Sequence, residues 1–184
     1  MTEDAITVLF SGNIGIEYGQ FYIDVALEDE EEGDDDYLDP DGAFAGQKNG
    51  ICGAAQAGKL FFVTGIQDGV ASIDVELHVD KPAIDESFSE IVEVSFHRGK
   101  KPVSLCEWGH EQTHHLELPE GHYRVRYCID GMDKDYEQNG DYEAPVPGQR
   151  HRVQFWRSAP EADSIVKHTS ETAAYWHREW GSLA

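Results

Sequence analysis

Positive charge is what this sequence has least of: 14 Lys and Arg stand against 36 Asp and Glu, a formal net charge of -22 over 184 residues. Binding DNA or RNA through phosphates needs cations that displace counterions, so the shortage excludes a nucleic-acid reader of that kind. It favours fast encounter with positively charged proteins instead. Cysteine is scarce too. Cys52, Cys106 and Cys128 are odd in number and show no CxxC spacing, which argues against a disulfide framework or a zinc ribbon and for buried thiols in a reducing compartment. No apolar run approaches the roughly 18 residues of a membrane span, and residues 1–4 lack the basic start of a secretory signal. The expectation is a soluble cytoplasmic protein without a membrane partner. Catalytic signatures are missing as well: residues 53–59 do not have the order of a phosphate loop, Ser11 and Ser104 sit in no nucleophile elbow, and Cys106 lacks a catalytic neighbourhood in sequence. A binding protein, not an enzyme, is expected.

What the chain does have is short alternating runs punctuated by Gly, Pro and Asp. At this length folding hides roughly 70% of the unfolded surface, enough for a core without staples. Strands are predicted over 5–10, 16–27 with a bulge at Gly19 and Gln20, 59–64, 72–79, 90–97, 103–107, 114–118, 122–129 and 149–156, while 50–57 is ambiguous. Ile73, Val75 and Leu77 against Asp74, Glu76 and His78 give the clearest core-and-water alternation. Eight to nine strands at this spacing give a mainly β chain, an antiparallel β-sandwich. The character changes at Pro160. From Ser170 to Trp180 the apolar positions fall at helical spacing, with Thr169 or Ser170 as N-cap and Glu171 favoured by the helix dipole. The division expected is a β-sandwich domain over 1–158 and a helical tail over 159–184 packed on an edge or end of the sheets.

Three constellations are candidates for function. The first is the acidic run over 28–41, with Asp34, Asp35, Asp36, Tyr37, Asp39 and Asp41. Calcium wants such oxygen ligands, but counting back from Gly42 puts Tyr37 at position one and Lys48 at position twelve of an EF-hand, where acids are needed. The run is then a solvated loop, a calcium loop without the EF-hand template, or a mimic of the phosphate track of a nucleic acid that plugs a basic cleft, with Tyr37 or Tyr22 as desolvated aromatic anchor. The second is His110, His114 and His115, which a hairpin turning at Pro119 would bring near His122, a zinc or iron set without a recognised template. The third is a strip of scarce cations, Arg124, Arg126, Arg150, Arg152 and Arg157, read as internal compensation across strands in preference to a fork for an anionic ligand.

Residues 17–23 (EYGQFYI), 41–45 (DGAFA) and 116–125 (LELPEGHYRV) stand in an order that resembles the competence protein J family of small acidic bacterial proteins. The tail from Arg150 onward, with Gln154-Phe155-Trp156 and Ala173-Ala174-Tyr175-Trp176-His177, looks like an extension. The resemblance implies an inhibitor, since that family is known for a protein that binds and restrains a DNA-entry nuclease. A basic protein partner, a nuclease in particular, no nucleic acid and no resident cofactor are the corresponding expectations.

Overall fold

The computed structural model describes residues 5–25, 38–137, 144–145 and 147–182, the side chains of 135–137 excepted. Strands β1 (Ile6–Ile16), β5 (Gly69–His78), β6 (Glu90–Arg98), β9 (Gly121–Asp130), β10 (Arg150–Arg157) and β11 (Ser164–Lys167) form a six-stranded sheet in the order β1-β5-β10-β9-β6-β11. A second sheet runs β3-β4-β2-β7-β8, from β2 (Gln20–Val25), β3 (Cys52–Gly53), β4 (Leu60–Val63), β7 (Val103–Cys106) and β8 (Thr113–Leu116). The mainly β fold and its alternation are as the sequence predicts. All pairings are antiparallel except that of β5 with β10, which is parallel, Val75 opposite Val153.

The alternating residues of β9 show why the two sheets meet. Tyr123, Val125, Tyr127 and Ile129 turn inward and are all buried. Tyr127 packs its ring 4.9 Å from Phe62 and 6.0 Å from Phe21 of the other sheet, and its hydroxyl donates to the Val63 carbonyl at 3.0 Å. A buried phenol needs such an acceptor, and here the acceptor also locks the sheets in register. Cys52, Cys106 and Cys128 are buried free thiols, as expected; burial raises all three, Cys106 and Cys128 to about 12, which keeps them protonated.

The segment read as one long strand over 16–27 is instead broken by a turn at 17–19, with β1 ending at Ile16 and β2 starting at Gln20. Glu17 bridges to Gln20, and Tyr18 and Gly19 both take positive φ, 55° and 72°. That left-handed pair is what a tight two-residue reversal requires, so β1 and β2 part into different sheets. Likewise the chain at Pro119 does not make a hairpin: it carries β8 of the smaller sheet over to β9 of the larger one.

The tail contributes more than a helix. β11 adds a strand beside β6, and helix α2 (Glu171–Glu179), capped by the Ser170 hydroxyl accepting from Ala173 N–H, returns across the side of the sandwich. Trp180 stacks on Phe44 at 5.4 Å, next to the short helix α1 (Pro40–Ala43), and meets Phe61 of β4 edge-on at 5.7 Å. One side, where β11 and β3 are outermost, is therefore strapped. On the other side, β1 and β8 are outermost. Among the described residues no helix is long and apolar enough to cross a membrane.

Candidate functional site

The structure disperses the histidines. His110 lies in a 3-10 turn (Trp108–His110) with its Nε2 3.3 Å from Asp24 Oδ2, and His114 packs on Phe10 at 4.7 Å. His115 Nε2 lies 3.2 Å from Glu117 Oε1, and His122, on the other sheet, stacks on His97 at 4.2 Å. The expected convergence fails because β8 and β9 belong to different sheets. Among the described residues no group of three or more His, Cys, Asp or Glu is arranged to hold a metal.

Asp34, Asp35, Asp36 and Tyr37, with the calcium reading of that loop, lie outside the described residues. Asp39 is the N-cap of α1, its Oδ1 accepting from Gly42 N–H at 2.8 Å, so its carboxylate already holds a helix end. Asp41 lines a hollow of about 200 Å³ beside Phe44, Glu179 and Trp180. Tyr22 is 3% exposed and packs edge-on against Phe61, which places it in the core and not at a partner surface.

A cleft that the sequence did not advertise forms at the start of β2. It encloses about 310 Å³ and is lined by Glu17, Asp68, Glu107, Glu111, Trp108 and the backbone of Gly15, Ile16 and Gly69. Three turns build it. The Tyr18-Gly19 reversal is pinned by Gly19 N–H donating to the Gln67 carbonyl at 2.8 Å and Tyr18 N–H to Asp68 at 3.3 Å. The β4–β5 loop supplies Asp68, and the turn after β7 supplies Glu107, Trp108 and Glu111. Glu107 Oε1 accepts from Gly15 N–H at 2.7 Å; a Cβ at Gly15 would stand 3.2 Å from the other carboxylate oxygen, so glycine permits the approach. Tyr18, 60% exposed, rests on Trp108 with ring centroids 4.9 Å apart. Four carboxylates beside the exposed Tyr18 and the half-buried Trp108 suit an ammonium or guanidinium group, which gains both ion pairing and contact with a π face. No periodicity in the sequence joins residues 17, 68, 107 and 111, which is why only the fold reveals them.

The arginines of the strip, by contrast, have partners within the fold, with Arg124 and Arg126 buried and Arg150 and Arg157 exposed. Arg126 is fully buried on the outer face of the larger sheet, its Nε and Nη2 donating to Glu93 Oε1 at 3.0 and 2.9 Å and its Nη1 to the Pro82 and Ala83 carbonyls at 3.0 and 3.1 Å. Arg124 Nε stands 3.4 Å from the second Glu93 oxygen. Burial pushes the Glu93 carboxyl up, but the Arg126 hydrogen bonds and charge, with Lys81 and Arg124, outweigh it and hold it below the usual range. Arg152 pairs with Asp85 at 3.2 Å and Glu76 at 3.6 Å, and Arg150 with Asp130 at 3.6 Å. Arg157 donates to the Glu120 carbonyl and covers the Tyr123 ring. Compensation across strands is the arrangement present.

No family model matches the chain, and no curated protein matches it in sequence. Solved structures do. The fold is similar to that of ComJ, inhibitor of the DNA degrading activity of NucA, from Bacillus subtilis, with a TM-score of 0.54 at 15% identity, over 84% of this chain and 99% of that one. It is also similar to the protein of crocagin biosynthetic gene J, with a TM-score of 0.50 at 15% identity, again over 84% of this chain and 99% of the other. The resemblance seen in the sequence is thus a resemblance of fold: this chain has a ComJ-like β architecture.

Proposed function

We propose that this protein is an acidic cytoplasmic bacterial protein that acts by binding, and that it inhibits a basic protein, a nuclease first of all, by covering the cationic surface where the polyanion would lie. The observation that carries this reading is the fold shared with a nuclease inhibitor. The charge of -22 supports it, because a nuclease surface that binds phosphates is basic and an acidic protein competes for it. The acidic run over 28–41 is the segment proposed to do the occluding, with Tyr37 as its aromatic anchor now that Tyr22 lies in the core. Long-range attraction makes such an encounter fast and salt-sensitive.

The test is to titrate the purified full chain into a DNA digestion by NucA and follow fragment release. Suppression in proportion to the added chain, saturating at a fixed stoichiometry, is the expected result. Digestion unaffected by an excess of the chain at low ionic strength would refute the inhibitor reading for that nuclease class.

A further inference from the structure

An outermost strand presents unpaired N–H and C=O groups to any other chain, and proteins shorten, charge, bulge or cover such strands to prevent pairing. Among the described residues, three of the four outermost strands follow that rule: β11 has 4 residues, β3 has 2 and β8 has 4, and the tail straps the side where β11 and β3 lie. The fourth carries only one bulge near its start. β1 has 11 residues, without one charge or proline, in a chain of which 27% is charged. Its single register shift falls between Val8 and Phe10, and from Phe10 to Ile16 its pairing with β5 is regular.

The direction of its free groups can be read from Glu107. Gly15 N–H reaches that carboxylate and so turns away from β5. Backbone groups repeat every second residue, hence the N–H groups of Asn13 and Ser11 turn the same way. Both residues are exposed, and among the described residues β1 has no strand on that side. Four of the six exposed large apolar side chains among the described residues lie on β1 or at its ends: Ile6, Val8, Tyr18 and Val79. The cleft of Glu17, Asp68, Glu107 and Glu111 opens where β1 ends.

We propose that the free edge of β1 is a strand-addition site, on which an extended segment of a basic partner pairs with the backbone of residues 11–13 and places a Lys or Arg in the cleft at the strand's end. The proposal rests on the reading of the protein as a binder of basic proteins and names the surface and the form of the partner segment. Main-chain hydrogen bonds supply affinity in such an arrangement, and the pocket at the end supplies selectivity. Charge decides the occupant. A second copy of the chain would bring its own -22 to the contact, whereas a cationic segment is drawn in by the four carboxylates of the cleft.

The probe is a synthetic octapeptide of alternating Val and Thr ending in Arg, with a twin ending in Glu, added to the full chain. The Arg peptide should bind about tenfold or more tighter than its twin and slow amide exchange at Ser11 and Asn13. Asn13→Pro removes an outward N–H while sparing the ladder to β5, a substitution that outer strands accept; it should weaken binding about tenfold, and Asn13→Ala should not. If Asn13→Pro lowers the melting temperature, Val8→Lys, at a site 60% exposed, replaces it, repelling the cationic peptide with the fold intact. Absence of peptide binding, or exchange at Ser11 and Asn13 unchanged by it, overturns the proposal. So does a dimer in sedimentation that Asn13→Pro dissociates, which would make the occupant a second copy. NucA inhibited at full strength by Asn13→Pro also overturns it but leaves occlusion standing, while NucA untouched by the wild-type chain refutes the inhibitor reading separately from the peptide result.

Discussion

The Gly50 amide donates to His177 Nδ1 across 2.9 Å, so the side chain of a fully buried histidine in α2 fastens the tail to the backbone just before β3. Three carboxylates tie the same strap by accepting backbone amides: Asp163 from Lys48 and Asn49, Glu90 from Thr169 and Ser170, and Asp133 from Glu171 and Thr172. A protonated imidazole has no acceptor nitrogen, so the Gly50 bond requires His177 neutral.

Stability should therefore fall as the medium turns acid. Burial pushes His177 down to about 4, with His168 adding and Asp163 opposing, and burial pushes His151 in the core down to about 4. Unfolded histidine takes a proton near 6.5, so between about 6.5 and 4 the unfolded chain binds more protons and the folded state loses ground. His151 alone should account for about 3 kcal/mol once the pH is below both values, fully present as stability above 6.5. Urea unfolding at pH 7.5 and 5 checks this, and His151→Leu should flatten the difference.

A side chain at position 50 should loosen the strap without opening the sandwich. The Cβ of Gly50→Ala would overlap the Trp176 carbonyl and crowd the Gly181 amide, both backbone atoms. A destabilisation of about 1–3 kcal/mol is expected, with tryptophan fluorescence shifting to the red as Trp176 and Trp180, whose rings lie 4.1 Å apart, become wet. Unchanged fluorescence would mean that α2 does not depend on this contact.

Removal of Glu93 should be among the most damaging single changes. Glu93→Ala leaves Arg126, fully buried, without its carboxylate, and a broken buried pair costs about 3–5 kcal/mol. Glu93→Gln keeps an acceptor and should cost less. Denaturant midpoints of the two variants make the comparison.

Much of this was legible beforehand, and the exceptions have local causes. Alternation located β6, β9 and β10 to within a residue at each end and β5 with its start placed three residues late, since one face of each meets the core. Arg124 and Arg126 sat on the correct outward face of β9, yet both are buried, because the segment carrying Pro82 and Ala83 and the one carrying Glu161 and Ala162 fold over them. β11 has only Ile165 and Val166 to signal a strand and is specified by the free edge of β6, not by its own pattern. The Tyr18-Gly19 reversal was hidden because tyrosine seldom takes positive φ, so the end of β1 at Ile16 read with β2 as one bulged strand over 16–27, apart from a first strand over 5–10. The cleft depended on that turn, so it stayed invisible with it.

The acidic run has its own expected signature. Asp34→Asn, Asp35→Asn and Asp36→Asn combined should slow association with NucA by about tenfold at low salt and change dissociation little, because charges of this kind act mainly on the encounter. Stopped-flow kinetics of the triple variant beside the wild type separates the two rates.

The association rate with NucA as a function of ionic strength tests the central claim most directly. Electrostatic occlusion predicts a rate that falls steeply between about 20 mM and 500 mM salt, as screening shortens the reach of the field from roughly 20 Å to a few Å, with dissociation nearly constant. No association at low salt, or an association rate indifferent to salt, would contradict the account.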